Sequence, residues 1–540
     1  MHEQPDRPGR LAENLVLAGC LTYIAVFLAI AAVRVVYPFE VEWMEGGMLT
    51  HAARLREGLP IYAAPSADFV PFFYTPLYPT LLAWVSNLTG GLSFTLGRAV
   101  SVLFTLYTLG LLFWIGRREA GIRAGIIAAG LYAAMYRFTG AFYDAVRPDA
   151  MFIALVLSAC ALVYYDRTWR GVLLSAALFV VGHFTKQTTS VFIPMIGLWL
   201  LVRNWRQAIA FGATVAVLGV VATIAYDRST GGWFWTYIFK GHQGHLFYWK
   251  NILMEYWRDV IFLAPVLLLL PLLWFRYRIP VRILSVFLAV HWLYAFVFRA
   301  ATLDYVPHMY YEELWYESPR WAVLIPPALI ALLLLVYRLR QPAVETRTNV
   351  YFLLLFVAAT GSSGLNHSTQ WAYANCFMPI AVFTALFLPL LMRDLRVGGW
   401  RGILVPAALC VQLFAWIYNP LAQVPGRADW AALDDFNAAL SKVDGPIFAP
   451  AHPFLAYQRD GRIHVHQMGI QDVAFMGGVK DLDRRLAAHE WAAIVLDDQN
   501  TIPGLSKYYR QARRFDWEEK GALRAKTGFA VRPQSLWVPK

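Results

Sequence analysis

Thirteen apolar runs, separated by more polar stretches, divide most of the chain. A membrane-spanning helix needs about 20 mostly apolar residues, or fewer where flanking side chains reach the interface. The runs at 171–184 and 350–363 are short by that measure. The pattern predicts an all-α polytopic membrane protein with about 13 transmembrane helices, at 15–36, 94–115, 122–138, 149–165, 171–184, 188–203, 208–226, 259–275, 283–299, 320–337, 350–363, 375–392 and 402–419.

The charge of the connections orients these spans. Short cytoplasmic loops of membrane proteins carry an excess of Lys and Arg. If the N-terminus is cytoplasmic, every predicted inner connection is basic, whereas the outer connections at 37–93, 227–258 and 300–319 are long and rich in aromatic and acidic residues. The inner connections contain Arg7 and Arg10; Arg117, Arg118 and Arg123; Arg167 and Arg170; Arg203 and Arg206; Arg276, Arg278 and Arg282; Arg338, Arg340 and Arg347; and Arg393, Arg396 and Arg401.

The last stretch of the chain has the composition of a soluble domain. From about Pro425 onward, strand-like runs (GPIFAPA, RIHVHQ, AAIVLDD) alternate with helix-like runs (DLDRRLAAHEW, GLSKYYRQARR). This alternation predicts a small α/β domain at 425–540, on the outer side of the membrane, beside a transmembrane domain at 1–420. Neither a Walker sequence nor a GxGxxG fingerprint occurs in it, which argues against a nucleotide site.

Composition agrees with a lipid environment. Of 540 residues, 58% are hydrophobic and only 15% are charged, compared with about 25% charged residues in soluble domains. The net charge of +12 resides mostly in the short loops, so it indicates topology and not nucleic-acid binding. The four cysteines, at 20, 160, 376 and 410, lack CxxC spacing and are interpreted as core residues.

Two carboxylates in the first outer loop are the first candidates for chemistry. Glu42 and Glu45 are three residues apart, which places them on one face if a helix begins near Trp43. A carboxylate at the membrane surface can accept the proton of an attacking hydroxyl, and a second carboxylate nearby raises its proton affinity. The alternative is that both residues merely favour a helix N-terminus.

Two cations stand out because basic residues are scarce in the predicted outer connections. Arg147 precedes Pro148 and Asp149 at the outer start of the fourth span, and Lys186 lies between the fifth and sixth spans. Cations at membrane depth often mark a binding site, and a lipid phosphate or diphosphate needs such partners. Snorkelling to the interface is the alternative explanation for both.

Further polar residues at the outer side are candidates for the wall of a substrate cavity. They are Asp149, Tyr74, Tyr78, Gln187, His308, Glu312 and Asn375. The histidine pairs at 242 and 245 and at 464 and 466 have spacings that suit a metal, but no further ligand completes either set nearby. No metal site and no cofactor are predicted, and the question of an assisting divalent cation stays open.

Several of these segments together resemble the GT-C superfamily of membrane glycosyltransferases, specifically bacterial glycosyltransferase family 39, with the protein O-mannosyltransferases and the aminoarabinose transferase of lipid A. The similar segments are EVEWMEGGMLTHAARLREGLPIY, YTPLYPTLLAW, VRPDAMFIAL and TKQTTSVFIP. Many relatives have an Asp-Glu pair or Asp-x-x-Glu-Gly in the first loop, so Glu at position 42 is a departure. The resemblance covers about residues 15–420 and implies a GT-C-like fold.

The resemblance also implies an activity, namely inverting transfer of a monosaccharide from a polyprenyl-phosphate donor to a lipid, glycan or protein acceptor. In that scheme Glu42 or Glu45 is the base, and Arg147 and Lys186 bind the donor phosphate. The expected location is the bacterial inner membrane, with the site and the C-terminal domain in the periplasm, where that domain binds or positions the acceptor. The rival interpretations are a transporter or flippase for lipid-linked sugars and a non-catalytic binding subunit.

Overall fold

The structure of the chain is a computed structural model. The structure describes residues 7–248, 251–256, 259–260, 347–394, 400–497, 501–517 and 521–540. It is mostly helical, with a small sheet near the C-terminus, as the sequence predicts. The spans predicted at 283–299 and 320–337, all but the first two residues of the span predicted at 259–275, and the candidates His308 and Glu312 lie outside the described residues.

Among the described residues, nine helices of at least 12 residues precede residue 261, and three more apolar helices follow residue 346. The first nine are α1 (Arg7–Val35), α2 (Glu45–Arg56), α3 (Leu77–Thr89), α4 (Phe94–Ala120), α5 (Ile122–Ala134), α6 (Asp149–Tyr165), α7 (Trp169–Thr185), α8 (Phe192–Arg203) and α9 (Trp205–Ser229). The next three are α10 (Arg347–His367), α11 (Met378–Asp394) and α12 (Trp400–Ala415).

Three of the described helices are long and apolar enough to cross a membrane, at Gly9–Val35, Phe94–Ala120 and Trp205–Ser229. A pair bent by 63°, Val405–Ala415 with Pro420–Leu440, would make a fourth. Other predicted spans correspond to shorter apolar helices, so the count of thirteen is not confirmed. The chain is nevertheless a multi-pass membrane protein, since several apolar helices expose large aliphatic side chains, such as Val217 and Val221 of α9, both 60% exposed.

Small residues let the membrane helices pack closely. Gly130 of α5 faces α1, where an added Cβ would lie 2.2 Å from Cys20 Cβ. Gly116 of α4 and Gly125 of α5 face each other in the same way, backbone against backbone. Helices in membranes associate mainly through such packing, because lipid supplies no hydrophobic driving force between them.

The C-terminal region contains four strands and short helices in its described residues, 425–497, 501–517 and 521–540. The strands are β1 (Ile447–Phe448), β2 (Ala493–Asp497), β3 (Tyr509–Arg514) and β4 (Pro533–Pro539), in the sheet order β1-β2-β4-β3, where only β1 and β2 are parallel. Its helices are α13 (Arg427–Leu440), α14 (Pro453–Asp460), α15 (Gln467–Asp472), α16 (Leu482–Ala487) and α17 (Leu505–Tyr508).

Two local predictions for this region are wrong. The run RIHVHQ forms no strand. Its backbone makes isolated hydrogen bonds to two different segments, from Val465 N–H to the Ala67 carbonyl over 3.1 Å and from Gln467 N–H to the Pro450 carbonyl over 2.7 Å. The run GLSKYYRQARR, expected to be helical, ends its helix at Tyr508 and continues as β3, which pairs with β4 at the edge of the sheet. Tertiary pairing overrides local helix propensity there, and the arginines suit an exposed edge strand.

We expect Gly130→Ala to destabilise the bundle, because the new methyl group would overlap Cys20 and helix α1 must shift. Overpacking of this kind costs about 1–3 kcal/mol. The measurement is the thermal unfolding midpoint in detergent. The matched control is Gly110→Ala in α4, where an added Cβ meets nothing within 4 Å; equal midpoints for the two variants would contradict the proposed packing.

Candidate active site

A cavity of about 360 Å³ lies where the first outer loop, the α7–α8 connection, the segment after α10 and the C-terminal region meet. Its wall combines aromatic rings, side-chain amides and two cations, Arg147 and Lys186. The other lining residues are Trp43, Met44, Phe72, Phe73, Tyr74, Gln187, Thr188, Val191, His245, Leu365, Asn366, Thr369, Gln370, Trp371, Ala372, Tyr373, Asn375, Cys376, Met468 and Asp472.

Arg147 connects the first outer loop to the start of α6. Its guanidinium donates to the Tyr74 hydroxyl over 2.6 Å and to Glu42 Oε1 over 3.3 Å, and its Nε lies 3.8 Å from Asp149 Oδ2. The same guanidinium lies over the Tyr74 ring, 5.2 Å from the ring centre. Arg147 is therefore held in one place at the cavity wall, with carboxylates on its inner side.

Lys186 reaches the same cluster from the break between α7 and α8. Helix α7 ends at Thr185, and Lys186 has extended backbone angles that turn the chain out of the helix. Its Nζ lies 2.6 Å from Asp149 Oδ1, which also accepts a hydrogen bond of 3.0 Å from the Asn375 side chain. Gln187 next to it donates to the Phe73 carbonyl over 2.7 Å.

The four charged groups of this cluster balance, because Glu42 and Asp149 offset Arg147 and Lys186. Buried charges are tolerated only when they are paired in this way. The two cations line the cavity, whereas the two carboxylates lie behind them, outside the cavity lining. The arrangement therefore presents positive charge to any ligand, as an anionic headgroup requires.

Glu45 has a different environment from Glu42, although both are fully buried. Its carboxylate binds Arg98 through two contacts of 2.9 and 2.5 Å and accepts backbone N–H groups of Val41 and Val146, each over 2.9 Å. Arg98 also donates to the carbonyl of Tyr37, two residues after the end of α1, and so fixes the backbone at that point. Glu45 is thus saturated with hydrogen bonds.

The different surroundings of Glu42 and Glu45 give the two carboxyl groups different proton affinities. Burial, only partly offset by Arg147, raises the pKa of the Glu42 carboxyl to about 7. Burial opposes ionisation of Glu45 as well, but Arg98 and the backbone donors outweigh it and lower the pKa of that carboxyl. A carboxyl poised near neutrality is the form that general-base catalysis uses.

Helix α2 begins at Glu45, two residues later than the spacing argument assumed, and Glu42 lies in the preceding turn. The two carboxylates therefore do not share a helix face. Glu42 accepts the Met44 N–H over 3.0 Å instead.

The remaining sequence candidates divide into two groups. Tyr74, Gln187 and Asn375 line the cavity together with the cations. Tyr78 does not, because its hydroxyl lies inside the helical packing, 2.9 Å from Ser101 Oγ.

One pair in the cavity wall was not expected from the sequence. His245 Nε2 lies 3.1 Å from Asp472 Oδ1, and the imidazole stacks on Phe73 with ring centres 5.3 Å apart. His464 and His466, by contrast, are separately buried in the C-terminal region. Among the described residues, no group of three or more His, Cys, Asp or Glu side chains is placed to hold a metal ion.

Residues 73–226 match the model of the family described as dolichyl-phosphate-mannose-protein mannosyltransferase. This segment is similar to that family. The resemblance to GT-C membrane glycosyltransferases inferred from the sequence is thereby confirmed. The matched range includes Arg147, Asp149 and Lys186 but ends before the C-terminal region and begins after Glu42. A comparison with curated proteins gives no match.

Solved structures with distant similarity include ArnT from Cupriavidus metallidurans, without ligand and bound to undecaprenyl phosphate. Both are 14% identical to this chain, with 96% of this chain and 97% of theirs covered, at TM-scores of 0.46 and 0.45. The oligosaccharyltransferase of Archaeoglobus fulgidus is 8% identical, with 88% of this chain and 69% of its own covered, at a TM-score of 0.45.

We expect Arg98→Met to destabilise the protein strongly, because it leaves the Glu45 charge buried without its cation. Breaking a buried pair in this way costs about 3–5 kcal/mol. The readout is the thermal unfolding midpoint of the purified full-length chain. Glu42→Gln, which removes the other acid but keeps its shape, is the comparison variant. A midpoint lowered more by Glu42→Gln than by Arg98→Met would reverse the roles assigned to the two pairs.

Proposed function

We propose that this protein is an integral membrane glycosyltransferase that moves a monosaccharide from a polyprenyl-phosphate donor to a lipid, glycan or protein acceptor. The observation that carries the proposal is the pair of cations, Arg147 and Lys186, facing one cavity between membrane helices and an outer domain. A sugar attached to a polyprenyl phosphate stays in the bilayer, so its enzyme needs a charged cavity at membrane depth. The positive-inside rule assigns the connections rich in arginine to the cytoplasm. This assignment favours a cavity at the periplasmic face of the bacterial inner membrane.

In the proposed reaction, Glu42 is the base and Glu45 is structural. The acceptor hydroxyl attacks the anomeric carbon of the donor and gives its proton to the Glu42 carboxylate. The bond between the anomeric carbon and the phosphate oxygen breaks, its electron pair stays on that oxygen, and the configuration inverts. Arg147 and Lys186 stabilise the charge that develops on the leaving phosphate.

Binding of the donor and exposure of the base are coupled in this scheme. Glu42 lies behind Arg147, which is its salt-bridge partner and also part of the cavity wall. A phosphate that draws the guanidinium toward itself weakens the Arg147–Glu42 contact. Glu42 then becomes accessible when the donor is bound, and the loss of its cation strengthens it as a base.

The rest of the cavity wall suits a sugar. Phe73 and Trp371 provide aromatic surface, and Gln370, Asn366 and Asp472 provide hydrogen-bonding groups. Apolar faces with a few placed polar groups are typical of small-molecule sites.

The proposal is tested with vesicles that contain the purified protein and native acceptor lipids. The donors are undecaprenyl-phosphate mannose, glucose, galactose and aminoarabinose, and the readout is the release of undecaprenyl phosphate, measured by mass spectrometry. We expect turnover with at least one donor. Movement of the intact lipid across the membrane without cleavage would support a transporter instead, and binding alone would support a non-catalytic subunit.

The kcat/KM for the donor should rise with pH through about 7, because this ratio reports the free enzyme, in which Glu42 must lose its proton to act as a base and has a pKa of about 7. Glu42→Gln should reduce turnover by about 10²-fold or more, within the range of general-base catalysis. The control is Glu57→Gln, an exposed acid at the end of α2, which should leave turnover unchanged. A pH-independent rate, or full activity of Glu42→Gln, would remove Glu42 from this role.

Lys186→Met should weaken binding of undecaprenyl phosphate, because it removes one of two cations at the cavity wall. A charge-assisted hydrogen bond contributes about 1.5–3 kcal/mol, equivalent to about tenfold to a hundredfold in Kd. Binding is measured on vesicles with a fluorescent undecaprenyl phosphate. The matched variant is Lys240→Met, which removes an exposed cation of an outer connection; an equal loss in both variants would mean that only the general surface charge matters.

A further inference from the structure

The backbone of the first outer loop is paired with a segment near the C-terminus. The carbonyl of Val41 accepts the N–H groups of both Lys526 and Thr527, each over 2.9 Å. Glu42 and Thr527 form an isolated parallel bridge. The proposed base is therefore held at its main chain by residues almost 500 positions away in the sequence.

A buried ionic contact fixes Glu40, two residues before this bridge. His452 Nδ1 lies 3.2 Å from Glu40 Oε2, and His452 Nε2 lies 3.1 Å from Asp497 at the end of β2. The two carboxylates overcome the effect of burial and raise the pKa of His452 to about 10. The histidine is thus a cation at neutral pH, and it attaches the loop to the C-terminal sheet.

Trp43, just after the proposed base, also contacts the C-terminal region. Its carbonyl oxygen lies 3.2 Å from His466 Nε2, and its ring packs against Phe529 with ring centres 5.7 Å apart. Nδ1 of His466 accepts the Met468 N–H, so Nε2 carries the proton and donates. Every residue from Glu40 to Trp43 therefore has a partner in the C-terminal region.

Gly528 brings this region into direct proximity with the Glu42 side chain. A Cβ added at Gly528 would lie 3.0 Å from Glu42 Oε1 and 2.7 Å from Trp43 Cδ1. Its φ of +73° is also in the left-handed region that favours glycine. Only a residue without a side chain lets the segment at 526–529 approach the carboxylate this closely.

From these contacts we infer that the C-terminal region is part of the catalytic site, with Thr527, Gly528 and His466 as positioning residues that set the place of Glu42. This assignment differs from the expectation that the domain binds or positions the acceptor. It rests on the proposed role of Glu42. Displacing a catalytic group by about 1 Å can cost 10²-fold in rate, so contacts of this kind affect the rate without touching the substrate.

The test compares two glycine variants of the full-length protein. Gly528→Ala adds a methyl group against Glu42 and Trp43. Gly461→Ala, also in the C-terminal region, has nearly the same φ, +71°, but an added Cβ there meets nothing within 4 Å. Both variants place a side chain at a positive φ, and only the first one disturbs the base.

Turnover is measured as release of undecaprenyl phosphate from the same four undecaprenyl-phosphate sugars. We expect Gly528→Ala to lower kcat about tenfold to a hundredfold, with the KM for the donor changed less than about twofold, because the phosphate-binding cations are untouched. The charged and titratable groups around Glu42 are Arg147, Glu45, Asp149, Arg34 and Tyr373. Separation from Arg147 should move the acidic limb of the pH–rate profile to higher pH. Gly461→Ala should change neither kcat nor the profile.

A second variant keeps the inference testable if Gly528→Ala does not fold. His466→Asn preserves the cap of helix α15, since asparagine is a good N-cap, but is too short to reach the Trp43 carbonyl. The same loss of kcat and the same shift of the acidic limb are expected.

The outcomes separate this inference from the proposed function. If Glu42→Gln is inactive while Gly528→Ala and His466→Asn behave like Gly461→Ala, the positioning role is wrong and the base assignment stands. If Glu42→Gln retains full activity, the base assignment itself is wrong. A uniform loss of folded protein in the Gly528 and Gly461 variants, with normal kinetics in His466→Asn, would also overturn the positioning role.

Discussion

The site depends on one electrostatic constraint, which is that no charge in it can be buried alone. Arg147 and Lys186 lie at the cavity wall because Glu42 and Asp149 lie behind them, and each carboxylate is tolerated there only because of its cation. The pairs also join the first outer loop, the start of α6 and the α7–α8 connection at one point. The wall of the proposed anion site therefore presents two cations, and the carboxylates behind them offset that charge.

The two glutamates of the first loop illustrate how environment assigns roles to identical side chains. Glu45 receives two donors from Arg98 and backbone N–H groups, so its carboxylate is stabilised as an ion and anchors the loop to α4. Glu42 has one cation at 3.3 Å and one backbone donor, and its ionisation is opposed by burial. The first arrangement maximises stability, whereas the second leaves a group whose proton affinity changes when its partner moves.

The sequence identifies charged residues that are unusual for their position, but it does not identify those whose partners are distant in the chain. Arg147 and Lys186 were recognisable because cations are scarce in the connections predicted to be outside, and they do meet in one cavity. Arg98 was not, because it lies inside an apolar run predicted to span the membrane, and its partner is 53 positions away. The His245–Asp472 pair likewise depends on the folded chain, as does the change from helix to strand at Tyr509, where pairing with β4 decides.

Contacts between the ends of the chain explain why a small C-terminal sheet accompanies a large set of membrane helices. Loop segments that carry reactive groups are intrinsically mobile, since their backbone groups have few partners. Residues 40–43 escape that condition only by pairing with residues 526–527 and with two buried histidines of the same region. Arg34 at the end of α1 donates to Thr527 as well, so the membrane helix and the loop share this support. Bringing such distant segments together costs chain entropy. The contacts of residues 40–43 and Arg34 with the C-terminal region offset that cost, and they fix Glu42 behind Arg147 at the cavity wall.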